Sequence, residues 1–92
     1  MLNKGMAVLI RNEDELEAFA REAEKKGYDF VFGNIRAQRT PIRISCNIDR
    51  PDFKCLSKCE DLDYPLNKGI TKVVEASEIF RNQLISIRRA KL

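Results

Sequence analysis

Hydrophobic residues recur at helical spacing in one segment near the start of the chain, over residues 12–27. Three or four residues separate the apolar positions, which predicts a single stripe along one helix face: Leu16, Phe19, Ala20 and Ala23. Asn12 stands before this stripe and Glu15 follows three residues later, which is the spacing of a capping box. Gly27 can take the left-handed conformation that ends a helix. The pattern therefore predicts a helix between Asn12 and Gly27.

Two segments after this helix alternate with the period of a β-strand. In residues 28–33 the alternating aromatic side chains are Tyr28, Phe30 and Phe32. In residues 41–48 alternation predicts a half-buried strand, with Ile42, Ile44, Cys46 and Ile48 on one face and Arg43, Ser45 and Asn47 on the other. Gly33 and Asn34 suit a turn. Residues 34–41 are therefore predicted to connect two antiparallel strands as a hairpin.

The remaining elements come from the two ends of the chain. Residues 6–10, MAVLI, form a short apolar run that is typical of a buried strand, and residues 70–76, ITKVVEA, predict another. Residues 77–92 predict a helix capped by Ser77, with the apolar face Ile79, Phe80, Leu84 and Ile87. Residues 49–69 contain two prolines and no regular period. We expect a long loop there, with one helical turn around residues 53–59.

This order of elements, β-α-β-β-β-α, predicts an α+β fold in a single small domain over residues 1–92. We expect a three- to four-stranded, mostly antiparallel sheet that is packed by two helices on one face. The first β-α-β step can form a parallel crossover, which would be right-handed.

The length and composition restrict the location of the protein. Ninety-two residues suffice for one modest hydrophobic core. No apolar run approaches the roughly 20 residues that a membrane span needs. The first ten residues lack the long apolar stretch and the small-residue cleavage site of a signal peptide. We therefore expect a cytoplasmic protein with no membrane partner, whose three cysteines are reduced thiols.

The available residue types restrict the chemistry. The chain has no histidine, which removes the commonest general base and metal ligand, and its four glycines are scattered rather than gathered in a phosphate-binding loop. Cys46, Cys55 and Cys59 could hold zinc together with Asp61, although the usual structural sites use two close cysteine pairs. The alternative, which we expect, is that Cys46 is a core residue and that Cys55 or Cys59 is buried under the loop. We accordingly predict no catalytic residue, no metal site and no cofactor.

Positive charge is concentrated in two blocks. Residues 35–50 carry four basic residues and one acidic residue, and residues 79–92 carry four basic residues and no acidic one. Arginine suits bidentate recognition of phosphate or carboxylate. The candidate anion-binding residues are therefore Arg36, Arg39, Arg43, Arg88 and Arg89. The alternative is a solvated hairpin whose charges discourage edge pairing. We expect charge reversal at Arg36 and Arg39 to leave stability nearly unchanged.

Two segments, NEDELEAFAREAEKKGYDFVFGN and ITKVVEASEIF, are similar to a loose group of small bacteriophage and prophage proteins. The shared features are a helix with an acidic start, a GY pair followed by aromatic residues that lead into a strand, and a late strand ending in EAS. The resemblance implies an accessory protein of a mobile element that inhibits host defence; anti-CRISPR proteins are one such class. The cysteine-bearing loop of this chain departs from the group.

These observations predict a non-enzymatic binding protein of phage or mobile-element origin. It would inhibit a host-defence component in the host cytosol by binding that protein or its anionic ligand, a nucleotide or nucleic acid. The first alternative is a small nucleic-acid-binding accessory protein. The second is a cysteine-dependent enzyme. Lys54 and Lys58 could lower the pKa of a thiol, but no base is available to complete the arrangement. A homo-oligomer is compatible with each of these functions.

Overall fold

A computed structural model of the protein describes residues 5–30, 33–46, 55–59 and 70–91. In these ranges the strands are β1 (Met6–Ile10), β2 (Asp29–Phe30), β3 (Ile42–Cys46), β4 (Cys55–Lys58) and β5 (Lys72–Glu75). The helices are α1 (Glu13–Lys25), α2 (Ala76–Ile79) and α3 (Arg81–Ala90), together with a short 3-10 helix at Ile35–Ala37. No helix within these ranges is both long and apolar enough to cross a membrane.

The strands form one mixed sheet in the order β2-β4-β3-β1-β5. β3 lies antiparallel to both of its neighbours, β1 and β4. The outer pairs, β1 with β5 and β2 with β4, are parallel. Among the described strands, β3 therefore runs against the other four. The predicted α+β class is confirmed. The predicted three to four strands and mostly antiparallel pairing are approximate, since the described sheet has five strands with two antiparallel and two parallel pairs.

The predicted hairpin between β2 and β3 is wrong. β4 lies between these two strands, and β2 pairs with β4 in parallel, with Asp29 opposite Cys55 and Phe30 opposite Leu56. Alternation along a segment indicates that a strand forms, but it does not identify the neighbouring strand. Sequential strands are spatial neighbours only about two-thirds of the time. The 3-10 helix in residues 34–41 therefore belongs to a crossing connection and not to a hairpin loop.

The missing neighbour, β4, falls within the stretch predicted as a loop with a helical turn. Over Cys55–Lys58 that prediction is wrong, because these residues pair with β3 and place Leu56 in the core with no exposed surface. Four residues give too short an alternation to be recognised beside two prolines. Residues 49–54 and 60–69 of the predicted loop, and the strand positions Phe32, Asn47 and Ile48, lie outside the described residues.

Helix α1 has both of the predicted end signals. The side-chain oxygen of Asn12 accepts a hydrogen bond from the Glu15 backbone N–H at 3.0 Å. At the other end Gly27 has a φ of +76°, and the Tyr28 N–H donates to the carbonyl of Ala23 at 2.8 Å. This is the hydrogen bond of a Schellman motif, which requires a left-handed residue after the helix. The cap and the stop are confirmed.

The helices pack against one face of the sheet. The buried cluster combines alternate strand residues with the apolar helix stripes: Met6, Val8, Ile10, Ile42, Ile44 and Leu56 from the sheet, and Leu16, Phe19, Ala20, Ala23, Phe80, Leu84 and Ile87 from the helices. Phe19 and Phe80 meet at its centre with ring centroids 5.7 Å apart and planes at 88°. An edge-to-face pair of this kind adds about 0.5–1.5 kcal/mol beyond the area it buries. The predicted stripe of α1 is confirmed.

The C-terminal helical segment begins earlier than predicted. α2 starts at Ala76, directly after β5, and its capping residue is Glu75, which makes no side-chain capping bond. The predicted cap at Ser77 is therefore wrong. The Glu75 carboxylate is instead bound by Arg11, whose Nε donates to it at 2.9 Å. Phe80 separates α2 from α3. The predicted apolar face is confirmed, since Phe80, Leu84 and Ile87 are buried and Ile79 packs against the core.

Candidate functional site

The first predicted site residue, Arg36, lies on the 3-10 helix that follows Gly33. Asn34 caps this helix, with its side-chain oxygen accepting from the Arg36 N–H at 3.0 Å, and the buried Ile35 anchors it against the core. The connection therefore returns to α1 and directs the Arg36 guanidinium at the helix surface. Its Nε lies 2.6 Å from a carboxylate oxygen of Glu17, and its Nη1 forms an ion pair with Glu24.

These contacts change the titration of both carboxylates. The hydrogen bond from Arg36 is the largest cause that holds the pKa of Glu17 below its ordinary value, and the same is true for the pKa of Glu24. In return, the hydrogen bonds to Glu24 and then Glu17 raise the pKa of Arg36. The Arg36 guanidinium is thus bound by two carboxylates of α1. An external anion would have to compete with two carboxylates of the same chain.

The other two predicted arginines of this block lie elsewhere. Arg39 is exposed and forms no ion pair with the described residues. Arg43 lies opposite Leu9 in the β1–β3 register, on the sheet face away from the helices, and it has an interaction partner within the protein. It helps to line an open cavity of about 550 Å³, with Leu9, Pro41, Ile42 and Val73. Arg36 and Arg43 are therefore on opposite sides of the sheet and do not form one surface.

A second cavity, of about 450 Å³, lies between α1, α3 and the 3-10 helix. The buried side chains Leu16 and Ile87 contribute to its lining. Its cations, Arg21, Arg36 and Lys91, are all held by carboxylates of α1: Arg21 and Arg36 by Glu17, and Lys91 by Asp14. A charged ligand entering this cavity would first have to displace these ion pairs.

The last two predicted residues, Arg88 and Arg89, lie on the solvent face of α3. The helix buries Leu84 and Ile87, and both arginines are exposed. Two residues that the sequence analysis did not select share this face, namely Arg81 and Ile85. Ile85 is 45 % exposed. Helical spacing could have identified them, because residues three or four apart are neighbours on a helix surface. Arg81 lies four residues before Ile85, and Arg88 and Arg89 lie three and four residues after it.

Arg81, Arg88 and Arg89 differ from the paired arginines in having no partner among the residues that the structure describes. Within the described ranges, Arg81, Arg88 and Arg89 make no side-chain hydrogen bond and no ion pair, whereas Arg11, Arg21 and Arg36 each hold a carboxylate. α3 contains no acidic residue. Arg88 and Arg89 lie in its last turn, where the helix dipole favours positive charge. The outer face of α3, defined here as Arg81, Ile85, Arg88 and Arg89, is therefore a cationic surface around one apolar side chain.

The structure describes the side chains of two cysteines, Cys55 and Cys59. Cys59 is fully buried, and burial raises the pKa of its thiol, which disfavours the reactive thiolate. Cys55 is half-buried, and both thiols are free. No group of three histidine, cysteine or acidic side chains in these ranges could hold a metal. Asp61, the fourth predicted zinc ligand, lies outside the described residues.

Comparison of the chain with family models, with curated proteins and with solved structures finds no match. The resemblance to small phage and prophage proteins stays a prediction.

Proposed function

We propose that the protein is a non-enzymatic binding protein that contacts an anionic macromolecule through the outer face of α3. The observation that supports this most directly is the state of its arginines. Arg81, Arg88 and Arg89 are exposed, lie on one helix face, and have no carboxylate partner among the described residues. Their charge is therefore available to a partner.

The contrast with the paired arginines explains why this face is preferred over the predicted stretch at residues 35–50. Arg36 would have to give up its contacts with Glu17 and Glu24 before it could hold an external anion. An arginine on the α3 face exchanges only water for a carboxylate or phosphate, and its guanidinium can bind either group in bidentate fashion. Several like charges on one face also raise the rate of encounter with an oppositely charged partner.

The biological role that we propose is inhibition of a host-defence component by occupation of an acidic surface. The resemblance of two segments to phage and prophage proteins supports this role, which implies origin from a mobile element and action in the host cytosol. Binding alone would be sufficient, because a protein that covers a functional surface of its target blocks it without chemistry.

A titration with two defined anionic probes tests the proposed surface. The probes are a labelled polyglutamate peptide of about 20 residues and a labelled DNA duplex of about 20 base pairs, each measured by fluorescence anisotropy at low salt. We expect the Arg88→Glu, Arg89→Glu double variant to bind at least one probe about tenfold more weakly than the wild type.

The matched control is the Lys25→Glu, Lys72→Glu double variant, which changes the net charge equally at two exposed positions outside α3. We expect a loss of about twofold or less there, because only long-range charge is altered. Equal losses in the two double variants would mean that net charge alone governs binding, and would contradict the proposal. So would a wild-type protein that binds neither probe.

A further inference from the structure

The centre of the α3 outer face is apolar although its surroundings are cationic. Ile85 is one of two large hydrophobic side chains that are exposed in the described part of the chain; the other is Val73 on β5. Three of the four helical neighbours of Ile85, at the positions three and four residues away, are Arg81, Arg88 and Arg89. The long aliphatic stems of arginine extend this apolar centre while the guanidinium groups stay in water.

We propose, on the basis of the proposed function, that the partner is a protein with an acidic rim around an apolar pocket, and that Ile85 enters this pocket. Protein interfaces combine a desolvated apolar anchor with charged residues at the rim. The outer face of α3 has this arrangement, with one aliphatic side chain at its centre and three guanidinium groups around it.

Nucleic acid fits the same face less well. The phosphate backbone offers charge but no apolar group, so Ile85 would stay in water or be buried against phosphates. The face also lacks the aromatic side chains on which single-stranded bases stack, since α3 contains none. An acidic protein surface satisfies both the arginines and the isoleucine.

The size of the face favours a single anchoring pocket. Arg81 and Arg89 are eight residues apart, which places them about 12 Å apart along the helix axis at 1.5 Å per residue. A surface of this length can cover one pocket and its rim. Binding through a single helix face is a common mode of protein recognition. Symmetric pairing of the face with itself is disfavoured, because it would bring six arginines together and α3 contributes no carboxylate to balance them.

Two synthetic peptides and one duplex separate the possibilities. The first peptide carries leucines at helical spacing among glutamates, the second replaces each leucine by serine, and the third probe is the DNA duplex of the preceding test. Chemical-shift titration of the isotope-labelled protein gives the affinity of each probe and the residues it touches. We expect the leucine peptide to bind about tenfold more tightly than the serine peptide, with shifts centred on Ile85.

The decisive variant is Ile85→Gln, which removes the apolar anchor but keeps a good helix former. It should reduce binding of the leucine peptide to the level of the serine peptide and leave the serine peptide and the duplex unchanged. The matched control, Val73→Gln, alters the other exposed aliphatic residue and should change none of the three affinities. Thermal melts of both variants show whether the fold is kept.

The failures of the two proposals are distinguishable. If the Arg88→Glu, Arg89→Glu variant weakens both peptides but Ile85→Gln changes nothing, the cationic surface stands and the apolar anchor is wrong. A duplex that binds more tightly than the leucine peptide would overturn the protein partner in favour of nucleic acid. If no probe responds to the arginine variant, the proposed function fails and this inference fails with it.

Discussion

The arginines that contact α1 and those on the outer face of α3 have different surroundings. On α1, Glu17 and Glu24 hold Arg36 from a distant connection, and Glu17 also binds Arg21. On α3 the arginines have no acidic residue on their own helix and no ion pair among the described residues. A block of basic residues in a sequence therefore does not show which cations are available. A cation is available to a partner only if the fold does not bring a carboxylate of the same protein to it.

The two helices nevertheless share one core, and the largest expected effect comes from breaking it. Phe19 of α1 is fully buried against Phe80, which joins α2 to α3. We expect Phe19→Ala to cost about 3–5 kcal/mol, as for other buried aromatic truncations. Small domains have a total stability of about 5–15 kcal/mol, so this change approaches the whole. Denaturant unfolding followed by circular dichroism measures it.

The control for this change is Ile85→Ala on the exposed side of α3, where we expect a change within about 0.5 kcal/mol. If Phe19→Ala cost no more than Ile85→Ala, the two helices would not depend on a common core.

The second comparison concerns the way in which each helical segment begins. Asn12 caps α1 by accepting from the Glu15 N–H at 3.0 Å, whereas α2 follows β5 without any side-chain cap. We expect Asn12→Ala to lower the free energy of unfolding by about 1 kcal/mol. Ser77→Ala should change it little, because Ser77 is inside α2 and exposed. Parallel urea titrations of the two variants test this difference, and a larger effect at Ser77 would contradict the observed start of α2.

The smallest effect concerns the ion pairs of Arg36. Its contact with Glu17 is partly exposed, and we expect its loss in Arg36→Gln to cost about 0.5–1 kcal/mol at neutral pH. Arg39→Gln, which removes a charge with no such contact, should have almost no effect. The sequence alone predicts that reversing both charges leaves the stability nearly unchanged. The ion pairs of Arg36 revise this prediction, and we now expect a loss of stability on reversal of Arg36 but not of Arg39.

The direction of the pH dependence follows from the carboxylates. Arg36 lowers the folded-state pKa of Glu17 and Glu24 below 4.5, the ordinary value of the group. Their contribution to stability is therefore complete above pH 4.5 and is lost as the pH falls through the lowered folded-state pKa. Wild type and Arg36→Gln should differ at pH 7 and converge in acid below 4.5. If the difference in stability between wild type and Arg36→Gln were undiminished at pH 3, Arg36 would stabilise the fold by packing of its aliphatic stem and not by its ion pairs.

The parts of the fold that the sequence predicted correctly are those determined by local interactions. The cap at Asn12, the stop at Gly27 and the apolar stripe of α1 each depend on residues within one or two helical turns. The parts that it missed depend on distant residues. β4 is stabilised by Leu56 in a core that is assembled from other segments, so its four residues gave little signal of their own.

In the candidate site, too, the residues on one helix could be predicted from the sequence, whereas the pairing between distant segments could not. The charge block at residues 79–92 identified Arg88 and Arg89, and helical spacing would have added Arg81 and Ile85. The pairing of Arg36 could not be predicted, because it depends on the path by which the connection returns to α1. Glu17 and Glu24 are seven residues apart and share a helix face, but the sequence does not state which cation meets them.

The position of β1 in the sheet has a consequence for the way in which the protein is made. Val8 lies opposite Ile44 of β3 on one side and opposite Val74 of β5 on the other. During synthesis, β1 and β3 emerge from the ribosome long before residues 72–75, so the β5 side of β1 stays open in the meantime. An unpaired apolar strand edge is a template for association with other chains. Until residues 72–75 have emerged and paired with β1, the nascent chain therefore exposes one apolar strand edge to other chains.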